Sequence, residues 1–202
     1  MWYLNLCIRC FFVCLLLSCT KNKSDLKTDL SLYKNGDIVF RQGNSSVSNA
    51  VLVADEKADY SHVGIVVLVN EVPFVIHACP PEIESFNSDN KIKMDSISVF
   101  FSTQYALHGA LYRFCDNSIA EKTSENAIQL YNDSISFDYN FDSNDSTEMY
   151  CTELVEFVYK KQNVALSDNI RHHVCIPGMN IENCILISDL QNSDKLKKII
   201  SF

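Results

Sequence analysis

Apolar and polar positions run along this chain in blocks, and each block implies an element. Ile38-Val39-Phe40 is a short apolar strand introduced by Gly36-Asp37. Ser45 and Ser46 offer a helix cap, and Val47, Ala50, Val51 and Ala54 follow at i, i+3, i+4 and i+7, one helical face. The segment YSHVGIVVLV (60–69) is β-branched and apolar on both faces, as a central buried strand requires. Asn70-Glu71 turns it, and 73–78 returns as a second strand. Residues 80–95 read as loop, and 96–101 and 110–114 as further strands. Asp116-Asn117-Ser118 caps a helix from about 119 to 131, with Ala120, Ala127, Leu130 and Tyr131 facing inward. Residues 132–146 form a loop whose Phe137, Tyr139 and Phe141 tie it to the body. A second helix starts near Cys151, and the remainder reads as loop with a short terminal helix. Helix, strands, helix, helix without repeats predicts a single α+β domain.

The first nineteen residues follow a different pattern. In MWYLNLCIRCFFVCLLLSC an uncharged run from Cys10 to Ser18 follows Arg9. It is too short for a span, which takes ~20 residues, and it suits a signal-peptide core. Leu16-Leu17-Ser18-Cys19 resembles a bacterial lipobox, in which a small residue precedes the cysteine that takes the lipid. An ordinary signal peptide ending beside a cysteine is the alternative. The chain divides into a signal peptide with lipobox (1–19), a polar tether (20–34) and a folded domain (35–202). This organisation implies an exported protein of the cell envelope, held at the membrane by a lipid on Cys19. Cys79, Cys115, Cys151, Cys175 and Cys184 stay in the domain, an odd count that leaves a free thiol.

Composition narrows the function. Of 202 residues 47% are hydrophobic and 21% charged, which is globular. The net charge of -8 lacks the basic footprint of a nucleic-acid partner.

Chemistry concentrates in two segments. In YCTELVEFVYKK, Cys151, Leu154, Val155 and Val158 share a core-facing stripe, so Cys151 stands at a helix start. The N-terminal dipole there favours thiolate, and free N–H groups can receive an oxyanion. A small core cysteine would show the same spacing. In YSHVGI, His62 interrupts an apolar strand and needs a partner. An even-length hairpin loop puts His62, Val75, His77 and Cys79 on one face, with His77 opposite or diagonal to His62. Cys151 then serves as nucleophile, His62 as base and His77 as its orienting partner. The Cys151 N–H and the Tyr60 hydroxyl are the candidate oxyanion donors. This reading requires the sulfur and the imidazole to meet on one side of the sheet.

GDIVF (36–40), YSHVGIVV (60–67), PFVIHA (73–78), FDYNF (137–141) and YCTELVEFVY (150–159), in this order, resemble the YiiX/YebB-like proteins. These are circularly permuted papain-like cysteine hydrolases of the NlpC superfamily, in which the histidine strand precedes the cysteine helix. The resemblance implies an NlpC-type α+β fold with an antiparallel sheet against the cysteine helix. It also implies Cys151 as nucleophile and His62 as base. Many relatives carry Glu at the position of His77, and a His there is similar to the lecithin–retinol acyltransferase group. The implied activity is amide-bond hydrolysis through a thioester, on a cell-wall (peptidoglycan) peptide or related substrate. A lipid esterase or acyltransferase with the same thiol, or a binding module without catalysis, are the alternatives. No cofactor is implied. His172, His173 and Cys175 lack the spacing of a zinc site, and no metal is expected. Asp142 and Asp145 lack the Gly and Glu of a calcium loop. Cys79, Cys115, Cys175 and Cys184 are candidates for one or two disulfides.

Overall fold

The computed structural model describes residues 29–80, 90–144, 146–176 and 179–202. The leader, Cys19, the tether up to residue 28 and Asp145 lie outside the described residues. Among the described residues no helix is long and apolar enough to cross a membrane.

In chain order the elements begin with β1 (Ile38–Gln42), α1 (Ser46–Ala54), β2 (His62–Val69), β3 (Val72–His77) and β4 (Lys93–Ser96). Next come α2 (Ile97–Phe100), β5 (His108–Phe114), α3 (Asn117–Asn132), β6 (Ser136–Phe137) and β7 (Glu148–Met149). The last are α4 (Cys151–Lys160), β8 (His172–Ile176), β9 (Met179–Cys184), α5 (Ile187–Gln191) and β10 (Leu196–Ser201). Six strands form one antiparallel sheet in the order β10-β5-β1-β2-β3-β4. The β6–β7 and β8–β9 pairs stand apart from it.

The sheet is covered on both faces, which explains why β2 is apolar throughout. One face carries Ile38, Phe40, Val63, Ile65, Val67 and Ile76 beneath α3 and α4. Leu154, Val155, Val158 and Tyr159 of α4 are fully buried there, each contributing roughly 1.5–3 kcal/mol. The other face is smaller: Val39, Val66, Val75 and Leu111 meet Ile97, Phe100 and Phe101. The β2–β3 turn is two residues long, with Asn70 (φ 50°) and Glu71 (φ 67°) both left-handed between the pair Val69↔Val72. That geometry matches the twist of the flanking strands.

Three expectations are corrected. Within 96–101, residues 97–100 form a helix rather than a strand. The Ser96 hydroxyl accepts the Val99 N–H at 3.3 Å, capping α2 and dropping Ile97 and Phe100 onto the sheet. Residues 93–95, expected as loop, belong with Ser96 to edge strand β4, with Val75↔Asp95 and Ile76↔Met94 opposed. Beyond α4 the chain is not mainly loop: it makes the β8–β9 hairpin and edge strand β10 as well as a short helix. The exposed, polar outer positions of these edges hide the two-residue period.

Candidate active site

The imidazole pair follows from hairpin register. Ile65 opposes Ile76, so opposed numbers sum to an odd value, and His62, Gly64 and Val66 share a face with Val75 and His77. This is the parity the even loop predicts. A Cβ on Gly64 would lie 2.5 Å from Val75 Cγ1 and 3.0 Å from His77 Cβ. The bare position therefore lets the two rings close, and His62 Nε2 lies 2.9 Å from His77 Nδ1. His77 Nε2 in turn lies 3.0 Å from Asp95 Oδ2 on β4. Phe100 packs against both imidazoles, with ring centroids at 5.8 and 5.2 Å. Arg41 sets its guanidinium 4.5 Å from the Phe100 centroid and donates to the Phe100 carbonyl at 2.7 Å.

Asp95 is the member that sequence reasoning missed, because its strand was read as loop. The signal was present in the alternation of Ile92 and Met94 with Lys91, Lys93 and Asp95.

The surroundings set the protonation states. Burial pulls His77 down, but hydrogen bonding to Asp95 and the neighbouring Cys79 thiol more than offset it and hold it above the ordinary value. Burial drives His62 well below the ordinary value, assisted by Arg41 and His77. The His77 hydrogen bond holds the Asp95 carboxyl down. An ionised Asp95 accepts the proton on His77 Nε2. In the neutral pair, His77 Nδ1 then accepts from His62 Nε2–H, and His62 Nδ1 is left with a free lone pair.

Cys151 is the first residue of α4, and its N-cap Tyr150 makes no side-chain cap hydrogen bond. The helix start is gripped from both sides: Tyr150 Oη accepts the Ile185 N–H and Thr152 Oγ1 donates to the Ile185 carbonyl, each at 2.7 Å. The N–H groups of Val63, Thr152 and Cys151 itself converge on the thiol. Burial outweighs them and pushes the thiol up to about 11. The expectation that the helix start favours thiolate is thereby corrected: desolvation outweighs the N–H groups directed at the sulfur.

The requirement of one shared side is corrected too. The imidazole pair lies on the α2 face with Phe100, whereas the body of α4 packs on the opposite face. They are linked at the end of a ladder. Val66 N–H bonds to Asp37 in the direction of β1, so by alternation Val63 N–H points toward β3. The β2–β3 register stops at Ile65↔Ile76. Val63 N–H directs itself at the Cys151 thiol instead, which puts the sulfur at the level of the sheet beside the residue that follows His62.

Tyr60 does not join this group. Its ring packs on Phe40 and His108, its hydroxyl faces Lys198, and it lines a separate open cleft of about 470 Å³ with Gln42, His108 and Phe202. An oxyanion role for its hydroxyl has no geometric support. Cys79 does fall beside the site: burial works against its ionisation, but His77 and then Lys93 and Arg41 hold its thiol below the ordinary value. Cys79, Cys115, Cys151, Cys175 and Cys184 are all free thiols, so the candidate disulfides do not form. His172 pairs with Asp189 at 2.9 Å and His173 with Asn180 at 2.7 Å. Among the described residues no three His, Cys, Asp or Glu side chains are grouped to hold a metal ion.

A thiol at a helix start and a buried imidazole relay on an antiparallel sheet, with the histidine strand first in the chain, is the arrangement of a permuted papain-like hydrolase. Residues 32–174 match the model of the permuted papain-like amidase family, YaeF/YiiX, C92, and the chain belongs to that family. It is accordingly an enzyme of the cysteine peptidase and amidase type. Among solved structures it is similar to the metalloprotein YiiX from Escherichia coli O157:H7, with TM-score 0.68 and 18% identity over 84% of this chain and 97% of that one. At that identity the likeness concerns the fold. A search of curated proteins found no match.

Proposed function

We propose that the protein is an exported, lipid-anchored amidase that cleaves a cell-wall peptide or related amide through a thioester on Cys151. The supporting observations are the His62–His77–Asp95 relay and a Cys151 thiol that interacts with the N–H of Val63, the residue after His62. Because that thiol is neutral at rest, attack needs a base at the moment of reaction. His62 Nδ1 takes the sulfur-bound proton as the S–C bond forms, and His62 Nε2–H stays bonded to His77. The resulting imidazolium is stabilised through His77 by Asp95. The oxyanion is received by N–H groups at the start of α4, chiefly that of Cys151. Collapse breaks the C–N bond, and the amine leaves with the proton from His62. Water then attacks the thioester, gives one proton to His62 and releases the acid, and the thiol recovers that proton.

Acyl-type electrophiles followed by mass spectrometry test the nucleophile. An adduct on Cys151 that needs His62 supports the reading, and turnover of a confirmed amide substrate by Cys151→Ala ends it. Export and anchoring rest on the leader and Cys19 alone. Fatty-acid labelling that survives Cys19→Ser would remove the anchor from the proposal.

A further inference from the structure

A cavity of about 120 Å³ adjoins Cys151, and neither His62 nor His77 lines it. Val47, Ala50, Val51 and Ala54 of α1 form one wall, with Val174, Ile181 and Ile185 among the residues opposite. The polar groups in its lining are already engaged. Thr152 donates to the Ile185 carbonyl, the Cys184 thiol to the His172 carbonyl, and Asp55 accepts the Ser188 N–H at 2.7 Å. The cavity is therefore dry and offers a ligand almost no hydrogen bonds.

α1 gives a second observation. Its sequence SVSNAVLVA is strongly apolar, yet none of its residues is buried, and Val47 is 53% exposed. Its apolar face borders the cavity without filling it.

We propose that this cavity receives a short aliphatic group on the acyl side of the scissile bond. The inference rests on Cys151 acting as nucleophile. The leaving group must reach His62 to collect its proton, and no residue of the imidazole relay lines the cavity. The part of the substrate beside this wall is thus the part that stays on sulfur. The volume is slightly below the ~150 Å³ that holds benzene in a dry cavity, which suits about four carbons. The acyl donor is then a short aliphatic acid or an amino acid with an aliphatic side chain.

The test uses the full chain and p-nitrophenyl esters of acetate, butyrate, hexanoate and octanoate. The sulfur–acyl bond forms as the bond between the acyl carbon and the nitrophenyl oxygen breaks, and nitrophenolate leaves with that electron pair. The expected kcat/KM for butyrate exceeds that for acetate by roughly tenfold, as two buried methylenes imply, and falls again by octanoate. Val51→Trp, which fills the cavity, brings the butyrate-to-acetate ratio close to one. Ala50→Leu lowers the same ratio and serves if the larger change impairs folding. An adduct on Cys151 with no chain-length preference, or a preference that neither variant alters, overturns the cavity assignment and leaves the nucleophile standing. No adduct on Cys151 with any ester overturns both.

Discussion

The two faces of the sheet divide the labour. The α3/α4 face is large, dry and apolar, and it holds the thiol through backbone N–H groups. The α2 face is small and carries side-chain charge, with Asp95, Arg41 and the two imidazoles around Phe100. A neutral sulfur nucleophile tolerates an apolar setting, whereas a base that becomes charged in the transition state needs a counter-charge built in. In the proposed mechanism this separation lets each environment suit its group, and Val63, next to His62 at the end of the β2–β3 ladder, is the residue whose N–H reaches the sulfur.

The largest break in this comparison is Cys151→Ala. It should abolish turnover while leaving thermal unfolding almost unchanged, because little volume is lost. His62→Ala should cost about 10² to 10⁴ in kcat/KM. Asp95→Asn should lower kcat roughly 100-fold, less than the ~10⁴ expected where a carboxylate touches the base directly. It also shifts the pH profile. The first proton taken up by the imidazole pair goes to His77, which Asp95 holds above the ordinary value. That proton blocks His62 as a base, so activity rises as pH passes above the ordinary histidine value. Without the Asp95 charge the same limb moves to lower pH. An unmoved limb would show that Asp95 supports only the fold.

On the apolar side, Glu156→Ala removes the acceptor of Leu166 N–H, Ser167 N–H and the Ser167 hydroxyl. It should cost about 3 kcal/mol in chemical denaturation. A smaller effect concerns Glu153, whose carboxyl is pushed up to about 8 by burial, while one of its oxygens has no partner. The folded protein keeps that proton where the unfolded chain releases it. This contribution to stability is complete below the ordinary glutamate range and is lost as pH rises through about 8. Glu153→Gln should flatten that part of the stability profile. Finally, Cys79→Ser should leave turnover within a fewfold of the parent, although Cys79 is the thiol of the pair that His77 keeps low.

Much of the site was legible because it is encoded locally. The parity of the β2–β3 loop placed His77 on the face of His62, and the apolar stripe of α4 placed Cys151 at its start. Asp95 was not legible in the same way, since its position depends on β4 returning to pair with β3 after residues 81–89. The segment 96–101 misled through β-branched content, which the Ser96 cap overrides. Tyr60 packs on Phe40 and His108, because proximity in sequence to His62 does not fix where an aromatic ring at a strand start packs. The thiol's protonation was misjudged because a sequence shows the helix start but not the depth of burial around it.

The Val63 N–H has two possible acceptors, the Ala78 carbonyl that continued pairing would bring opposite it and the sulfur of Cys151. It serves one at a time. A hairpin zipped one rung further would take that N–H from the thiol, so under the proposed mechanism an incompletely closed β-ladder is a condition for turnover, and tightening that hairpin would make a sturdier and idle protein.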